Sequence, residues 1–336
     1  MARKAVKGIL ATIGDTPLVE LENLPSDSGA RLFAKLEKFN PGGSVKDRSA
    51  LTMLQAKILD GELVPGRSVV VESSSGNLGI GIAQLCRYYG IRFICVVDAK
   101  TTEQNLSIMR AYQAEVEVVT EPNPETGEYL SERLARVRQL VATIPHAYCP
   151  NQYANALNPQ AHENTMREIA EALDGKVDYL FCATSTFGTM RGAVQYVRRQ
   201  DLPTTMIAVD AVGSMLFSDE PARRLIPGHG ASVRPPLLDA SLVDQVVHVT
   251  DLDCVVACRI LTGREGILAG GSSGAVLSAA MRLRDQLPAG SNCALVFPDG
   301  GDRYLDTIYS DEWVTRHFGE VSHLWKDPSG TGAGSC

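Results

Sequence analysis

The chain predicts an α/β fold of parallel sheets covered by helices on both faces. Three observations carry the prediction. Short, continuously apolar runs alternate with longer helical stretches, and unbroken apolar runs belong to strands buried on both faces. Thirty glycines mark many tight connections. With 336 residues, 44% of them hydrophobic, the chain can bury a sizeable core in two domains or one large one.

The elements follow in order. The helix-breaking turn Asn40-Pro41-Gly42-Gly43 precedes Ser44, a good N-cap, and a helix from Lys46 to about residue 60. Residues 68–72 (Ser-Val-Val-Val-Glu) form a strand and 76–89 a helix. Residues 92–98 are a strand, 102–114 a helix and 115–120 a strand; a long amphipathic helix covers 127–143. The stretch 145–160 carries Pro145, Pro150, Asn151, Asn155, Asn158 and Pro159, and reads as a loop-rich domain crossover. Beyond it, 179–183 is a strand and 188–199 a helix. Residues 206–210, 245–249 and 293–297 are strands, and 276–287 a helix. No internal repeat is present.

Composition narrows the function. A net charge of −7 without a basic run argues against nucleic acid and anionic membrane as partners. The N-terminus lacks a signal-type apolar region and no stretch reaches the length of a membrane span, so a cytoplasmic protein is expected. Several of the eight cysteines sit inside apolar runs, as buried reduced thiols would. Cys254 and Cys258 lie one helical turn apart, but no histidine or second cysteine pair completes a metal set, so no metal is expected. The end, from Asp327, is small and polar and reads as a disordered tail.

Four segments carry chemistry. Lys46 falls in the first turn of its helix, where the dipole disfavours positive charge. A lysine whose ammonium form is disfavoured deprotonates more easily, and a neutral lysine can form a Schiff base with a carbonyl cofactor. The alternative is a surface lysine opening a solvated helix. The turn Glu72-Ser-Ser-Ser-Gly-Asn-Leu-Gly79 offers three hydroxyls, an amide and backbone N–H groups at a helix start, which suits an anion; a capped helix needs only one such hydroxyl. Thr184-Ser-Thr-Phe-Gly-Thr189 has the hydroxyls and glycine of a phosphate cradle without a Walker motif, and is equally compatible with an ordinary loop. In Ala269-Gly-Gly-Ser-Ser-Gly-Ala275, glycines allow a flat ligand to approach the backbone.

Together, in this order, the four segments resemble the cysteine synthase and cystathionine β-synthase family of fold-type II pyridoxal-phosphate enzymes. The resemblance covers residues 8–320 and rests on Asn40-Pro-Gly-Gly-Ser-Val-Lys-Asp-Arg48, Ser75-Gly-Asn77 and Gly270-Gly-Ser-Ser-Gly274. Lesser echoes are Ile13-Gly-Asp-Thr-Pro-Leu18, Asn151-Gln-Tyr-Ala-Asn155 and Pro298-Asp-Gly-Gly-Asp-Arg-Tyr-Leu305. It implies a tryptophan synthase β-subunit-like fold of two doubly wound domains with pyridoxal 5'-phosphate between them. The larger, cofactor-binding domain would comprise 1–38 plus 150–325, and the smaller, mobile, substrate-binding domain 39–149, leaving 326–336 as the tail. Lys46 would hold the cofactor as a Schiff base and act as the catalytic base. Asn77 would bond the cofactor's 3-hydroxyl; Ser185, Thr186, Gly188 and Thr189 would bind its phosphate; Ser272 would face its ring nitrogen. Ser74, Ser75, Asn77 and Gln152 would bind the substrate α-carboxylate. A homodimer is implied as well.

Departures from the family pattern bear on substrate choice. Ser185 and Phe187 replace glycines and would narrow the pocket; Leu78 replaces a threonine. The segments 97–106 and 226–235 also differ. These variants resemble the branch that joins O-phospho-L-serine to L-glutamate, giving N-(2-amino-2-carboxyethyl)-L-glutamate on the way to 2,3-diaminopropionate for siderophores or antibiotics. Cysteine synthesis from O-acetylserine or O-phosphoserine and sulfide is the alternative. Arg133, Arg234 and Arg223 are candidates to meet phosphate or glutamate carboxylates, with Tyr153 and Ser185 as hydroxyl donors; each arginine could equally be a solvated surface charge.

Overall fold

Two sheets organise the protein in a computed structural model, which describes residues 5–24, 27–124 and 127–326. The chain enters through β1 (Leu18–Glu20) and β2 (Arg31–Leu36), then α1 (Lys46–Leu59), and builds β3 (Val69–Ser73), α2 (Asn77–Tyr89), β4 (Arg92–Asp98), α3 (Glu103–Ala111), β5 (Glu115–Val119), α4 (Leu130–Thr143) and β6 (Ala147–Tyr148). The second half runs α5 (Leu157–Ala172), β7 (Tyr179–Ala183), α6 (Gly188–Arg199), β8 (Thr205–Ala211), β9 (Gln245–Val249), α7 (Asp251–Glu265), α8 (Gly271–Leu283), β10 (Asn292–Phe297) and α9 (Asp311–Phe318).

The smaller sheet has the order β5-β4-β3-β6 and is parallel throughout. The larger has the order β1-β2-β10-β7-β8-β9; only β1, on the edge, runs antiparallel. Both sheets are covered on both faces, which explains the unbroken apolar runs. In β7, Leu180 and Cys182 join the cluster under α5 and α6, while Phe181 joins the one under α7 and α8. In β4, Phe93, Cys95 and Val97 pack on one side, Ile94 and Val96 on the other.

Strand order places the functional loops. In the small sheet β3, β4 and β5 progress one way and β6 returns to the other side of β3. In the large sheet β7, β8 and β9 progress one way and β10 lies on the other side of β7. Each sheet therefore has a topological switch point, where chain connections diverge and leave a crevice at the strands' carboxyl ends. The crevices are flanked by the segments after β3 and β6, and by those after β7 and β10.

The structure corrects several boundaries. Helix α5 begins inside the stretch read as loop; Pro159 is tolerated in its first turn, where its missing N–H would be unpaired anyway. Helix α8 starts at Gly271 rather than 276, so the Gly-Ser-Ser-Gly segment is its first turn. Helix α3 stops at Ala111 and α4 starts at Leu130, both shorter than expected. The residue flanking α1 is Val45, and Ser44 caps one position early, its Oγ accepting the Lys46 N–H at 3.2 Å. Strands β1 and β2 and helices α7 and α9 lacked a clear pattern in the sequence.

Seven described cysteines are free, and all but Cys149 are buried. No group of residues able to hold a metal ion, and no helix long and apolar enough to cross a membrane, occurs among the described residues. The expected tail falls almost wholly on 327–336, outside the described residues.

Candidate active site

Lys46 is the first residue of α1, set between the two crevices. The turn before it is pinned to the end of β10, with the Val45 N–H donating to the Pro298 carbonyl at 2.8 Å. Two residues on, buried Arg48 pairs with Glu37 at 2.7 Å and with Glu168 at 2.6 Å, and Lys35 reaches Glu168 at 2.6 Å. This ionic cluster holds Glu168 down at about 2 against the cost of burial, and it fixes where α1 begins. The Lys46 side chain projects into a cavity, and its pKa is lowered. Burial is the largest cause, partly opposed by Cys182 and Asp299. Desolvation therefore pushes this lysine toward the free amine.

Ser74, Asn77, Gln152, Tyr153, Ser185, Thr186, Gly188, Thr189 and Ser272 line the same cavity as Lys46. They arrive from the loops after β3, β6 and β7 and from the start of α8. Ser75 does not line it. The three consecutive hydroxyls have separate fates. Ser74 Oγ accepts the Gly79 N–H at 2.9 Å and caps α2. Ser75 Oγ donates to Asp98 at 3.2 Å and accepts from Arg133. Ser73 Oγ is buried without a partner.

Asn77 is held by residues that sequence reasoning left without a role. Its Nδ2 donates to Asp299 Oδ2 at 2.8 Å, and its Oδ1 accepts from Arg303. Tyr304 also donates to Asp299 Oδ2, at 2.7 Å. Burial pushes the Asp299 carboxyl up, and its Oδ1 is unpartnered. These residues belong to the segment after β10, whose Pro298-Asp-Gly-Gly echo was the available sequence signal.

The cradle at α6 begins with Thr186, whose Oγ1 accepts the Gly188 N–H at 3.3 Å. Phe187 holds a left-handed φ of 67°, a conformation that favours glycine. Its ring is 1% exposed and meets Phe217 edge-on at 6.2 Å, so most of the side chain is committed to the core under α6. Gly188 has no room for a side chain, since a Cβ would lie 2.5 Å from the Asn158 amide. His162, held neutral chiefly by burial, lies 3.4 Å from Thr189 Oγ1.

The donor set fits the implied cofactor. A helix N-terminus with three side-chain hydroxyls suits a phosphate, a depressed lysine suits a carbonyl, and no carboxylate lines the cavity to repel an anion. Ser272 is 2% exposed; its side chain makes no hydrogen bond with another described residue and faces Gly228, where a Cβ would come within 3.3 Å of its Oγ.

Tyr153 and Ser185 also line a second cavity, a vestibule containing Lys100, Arg133 and Arg224 together with Asp98 and Glu128. Arg133 is fixed there by Asp98 at 3.1 Å. The other arginine candidates lie elsewhere. Arg234 lines a separate groove, pairs with Asp219 at 2.9 Å and is 53% exposed. Arg223 is exposed and lines neither cavity; its neighbour Arg224, not singled out from sequence, occupies the vestibule.

Comparison with known proteins places this geometry. Residues 9–299 match the model of the pyridoxal-phosphate dependent enzyme family. The chain is 45% identical, over 92% of its length and 91% of the relative's, to an N-(2-amino-2-carboxyethyl)-L-glutamate synthase of Ralstonia nicotianae. Among solved structures, a hydrogen sulfide-producing enzyme from Fusobacterium nucleatum superposes with a TM-score of 0.83 at 31% identity, covering 90% of this chain and all of that one. An O-acetylserine dependent cystathionine β-synthase from Helicobacter pylori superposes with a TM-score of 0.83 at 30% identity, covering 92% and 100%.

Proposed function

The chain belongs to the pyridoxal-phosphate dependent enzymes, and on that footing we propose that it catalyses β-replacement on O-phospho-L-serine with L-glutamate as the amine nucleophile. The products would be N-(2-amino-2-carboxyethyl)-L-glutamate and phosphate, a route toward 2,3-diaminopropionate. When bound, pyridoxal phosphate supplies the electron sink that acidifies an amino acid's α-C–H bond.

The chain's own residues supply the rest. The first turn of α6, with Ser185, Thr186, Gly188 and Thr189, would take the cofactor phosphate, and Asn77 and Ser272 would hold its ring. The loop carrying Ser74 and Asn77, with Gln152, binds the substrate α-carboxylate through N–H and hydroxyl donors. Lys46 anchors the cofactor carbonyl, and as a free amine takes the proton from the substrate α-carbon. As the β-C–O bond breaks, the departing phosphate meets Ser185, Tyr153 and Arg133. The glutamate nitrogen bonds to the β-carbon and loses a proton, and Lys46 returns a proton to the α-carbon. Closure of the smaller domain, 39–149, over the site would exclude water during these steps. A cytoplasmic homodimer is part of the same reading.

One observation carries the choice of acceptor: the lysine cavity shares Ser185 and Tyr153 with a vestibule lined by three cations. A dianionic amino acid has use for those charges, whereas sulfide needs none. The name carried by the Ralstonia relative agrees. Incubating the holoenzyme with O-phosphoserine and glutamate should yield the adduct by mass spectrometry. Cysteine from sulfide with no glutamate adduct would instead support the cysteine synthase alternative, toward which the sulfur-handling structural neighbours point.

A further inference from the structure

We propose that Arg224 is the specificity residue for the acceptor: its guanidinium receives the side-chain carboxylate of the incoming dicarboxylic amino acid at the vestibule, outside the cavity where the phosphorylated substrate reacts. This rests on the reading of the enzyme as a β-replacement catalyst and adds an address for the second substrate.

Charge compensation and exposure distinguish the three vestibule cations. Arg133 is already paired with Asp98 and bonded to Ser75. Lys100 is exposed and stands over the Tyr129 ring, 5.2 Å from its centroid. Arg224 makes no ion pair with a described acidic residue. Its contacts are to neutral oxygens, Nη1 to the His229 carbonyl at 3.3 Å and Nη2 to Ser232 Oγ at 3.1 Å. Those two bonds leave other donors of its planar fork, a geometry that matches a carboxylate. The buried Asp210 attracts it only from beyond ion-pair distance, and a partly buried cation beside a cavity with no acid in direct contact is a place for a ligand anion. Of the acids lining the vestibule, Asp98 is engaged by Arg133 and Ser75, and neither it nor Glu128 pairs with Arg224.

The guanidinium is also held in place before any ligand arrives. Gly230 has φ of 70°, and a Cβ there would stand 2.3 Å from Arg224 Nη1, so the backbone wraps directly against the guanidinium. The same glycine donates its N–H to the Thr184 carbonyl at 2.6 Å, and Ala231 N–H donates to Ser214 Oγ at 3.0 Å. Thr184 opens the cofactor's phosphate loop, and Ser214 follows β8. Arg224 is thus tied to the α6 cradle through the His229–Gly230 peptide, which accepts from Arg224 and donates to Thr184. Little ordering is left to be done when an anion binds. An amino acid seated with its far carboxylate on Arg224 has its amine free to reach past Ser185 and Tyr153, the residues shared by both cavities.

The test uses the holoenzyme and glutarate, a five-carbon dicarboxylate without an amine, as an unreactive probe. Calorimetry should detect glutarate binding to the wild type. Arg224→Gln should weaken it roughly tenfold or more, the range for losing a charge-assisted pair, and Arg224→Lys, which keeps the charge but loses the fork, should weaken it by less than the glutamine variant does. In steady state Arg224→Gln should raise the KM for L-glutamate at least about tenfold more than the KM for O-phosphoserine. Equal glutarate affinity in wild type and the glutamine variant, no glutarate binding to wild type at millimolar concentration, or parallel changes in the two KM values would each overturn the assignment. If the wild type forms no glutamate adduct, the proposed reaction fails, and the glutarate comparison still decides the role of Arg224. Should Arg224→Gln not fold, the lysine variant decides: its guanidinium fork is lost and its charge kept, so glutarate binding weakened by about threefold or more supports the site and unchanged affinity refutes it.

Discussion

The lysine cavity and the vestibule beside it are built on opposite plans. In the cavity, backbone geometry and buried neutral or paired groups hold each functional atom: α1 starts at Lys46, α6 starts at the cradle, and Asn77 is gripped by Asp299 and Arg303. Lys46 there is pushed toward the free amine chiefly by burial. In the vestibule, charge is abundant and partly compensated, and it is carried on long side chains from α4 and from loops. The difference separates two tasks. Proton transfer at an α-carbon needs a fixed amine in a dry site, and can be done alike on many amino acids. Choosing between an amine that carries two carboxylates and a small thiol needs charges at a distance from the reacting carbon.

The largest expected effect lies in the cavity. Lys46→Ala should abolish the visible absorbance of covalently held cofactor and lower turnover by roughly a thousandfold or more, read by phosphate release from O-phosphoserine. Persisting colour and turnover would mean that another group carries the cofactor.

In the vestibule, Arg133→Gln should reduce kcat/KM by roughly tenfold to a hundredfold, since a charge-assisted contact is worth about 1.5–3 kcal/mol. The loss should be accompanied by freeing of Asp98 and Ser75. A rate equal to wild type would show that the vestibule is scaffold and not subsite.

Stability should distinguish the regions next. Glu72, 2% exposed at the end of β3, accepts the Ser73 N–H at 2.9 Å and leaves Oε2 unpartnered. Burial pushes its carboxyl from 4.5 to about 7. Between those pH values the folded chain holds a proton that the unfolded chain releases, so stability from this group is full below 4.5 and is lost as pH rises toward 7. Glu72→Gln lacks that loss. Urea unfolding should show the variant gaining on wild type between pH 5 and pH 8 by about 1–3 kcal/mol. A constant difference across that range would contradict the buried-acid assignment.

The smallest effect is expected at Arg234. Its ion pair with Asp219 is solvent-exposed and it lines neither cavity, so Arg234→Ala should change kcat/KM and stability by less than about 1 kcal/mol. A tenfold loss of kcat/KM would bring the 226–235 loop into the site after all.

Legibility in the sequence follows the same division. Lys46, Asn77, Thr186, Gly188 and Ser272 sit in contiguous turns between a strand or break and a helix, where residue type and local backbone conformation are set together. Their roles could be read by resemblance, and the cavity gathers them. The Asp299, Arg303 and Tyr304 support was less visible, because their partner Asn77 lies more than two hundred residues away in the chain. The arginines show the limit most clearly. Arg223, Arg224 and Arg234 share a stretch, 212–239, without helix or strand, so no periodicity says which way each points. Contacts with Gly230, Ser232 and Asp219 decide it.

By itself, then, the sequence determined the parallel α/β architecture, the lysine at a helix start and the hydroxyl-rich turns, because apolar runs, glycines and capping residues act over a few neighbouring positions. Only the tertiary structure decided that the two switch points face one cavity, that burial depresses Lys46, and that Arg224 rather than Arg223 or Arg234 turns into the vestibule. Those outcomes depend on desolvation and on contacts between segments far apart in the chain, which local pattern does not encode.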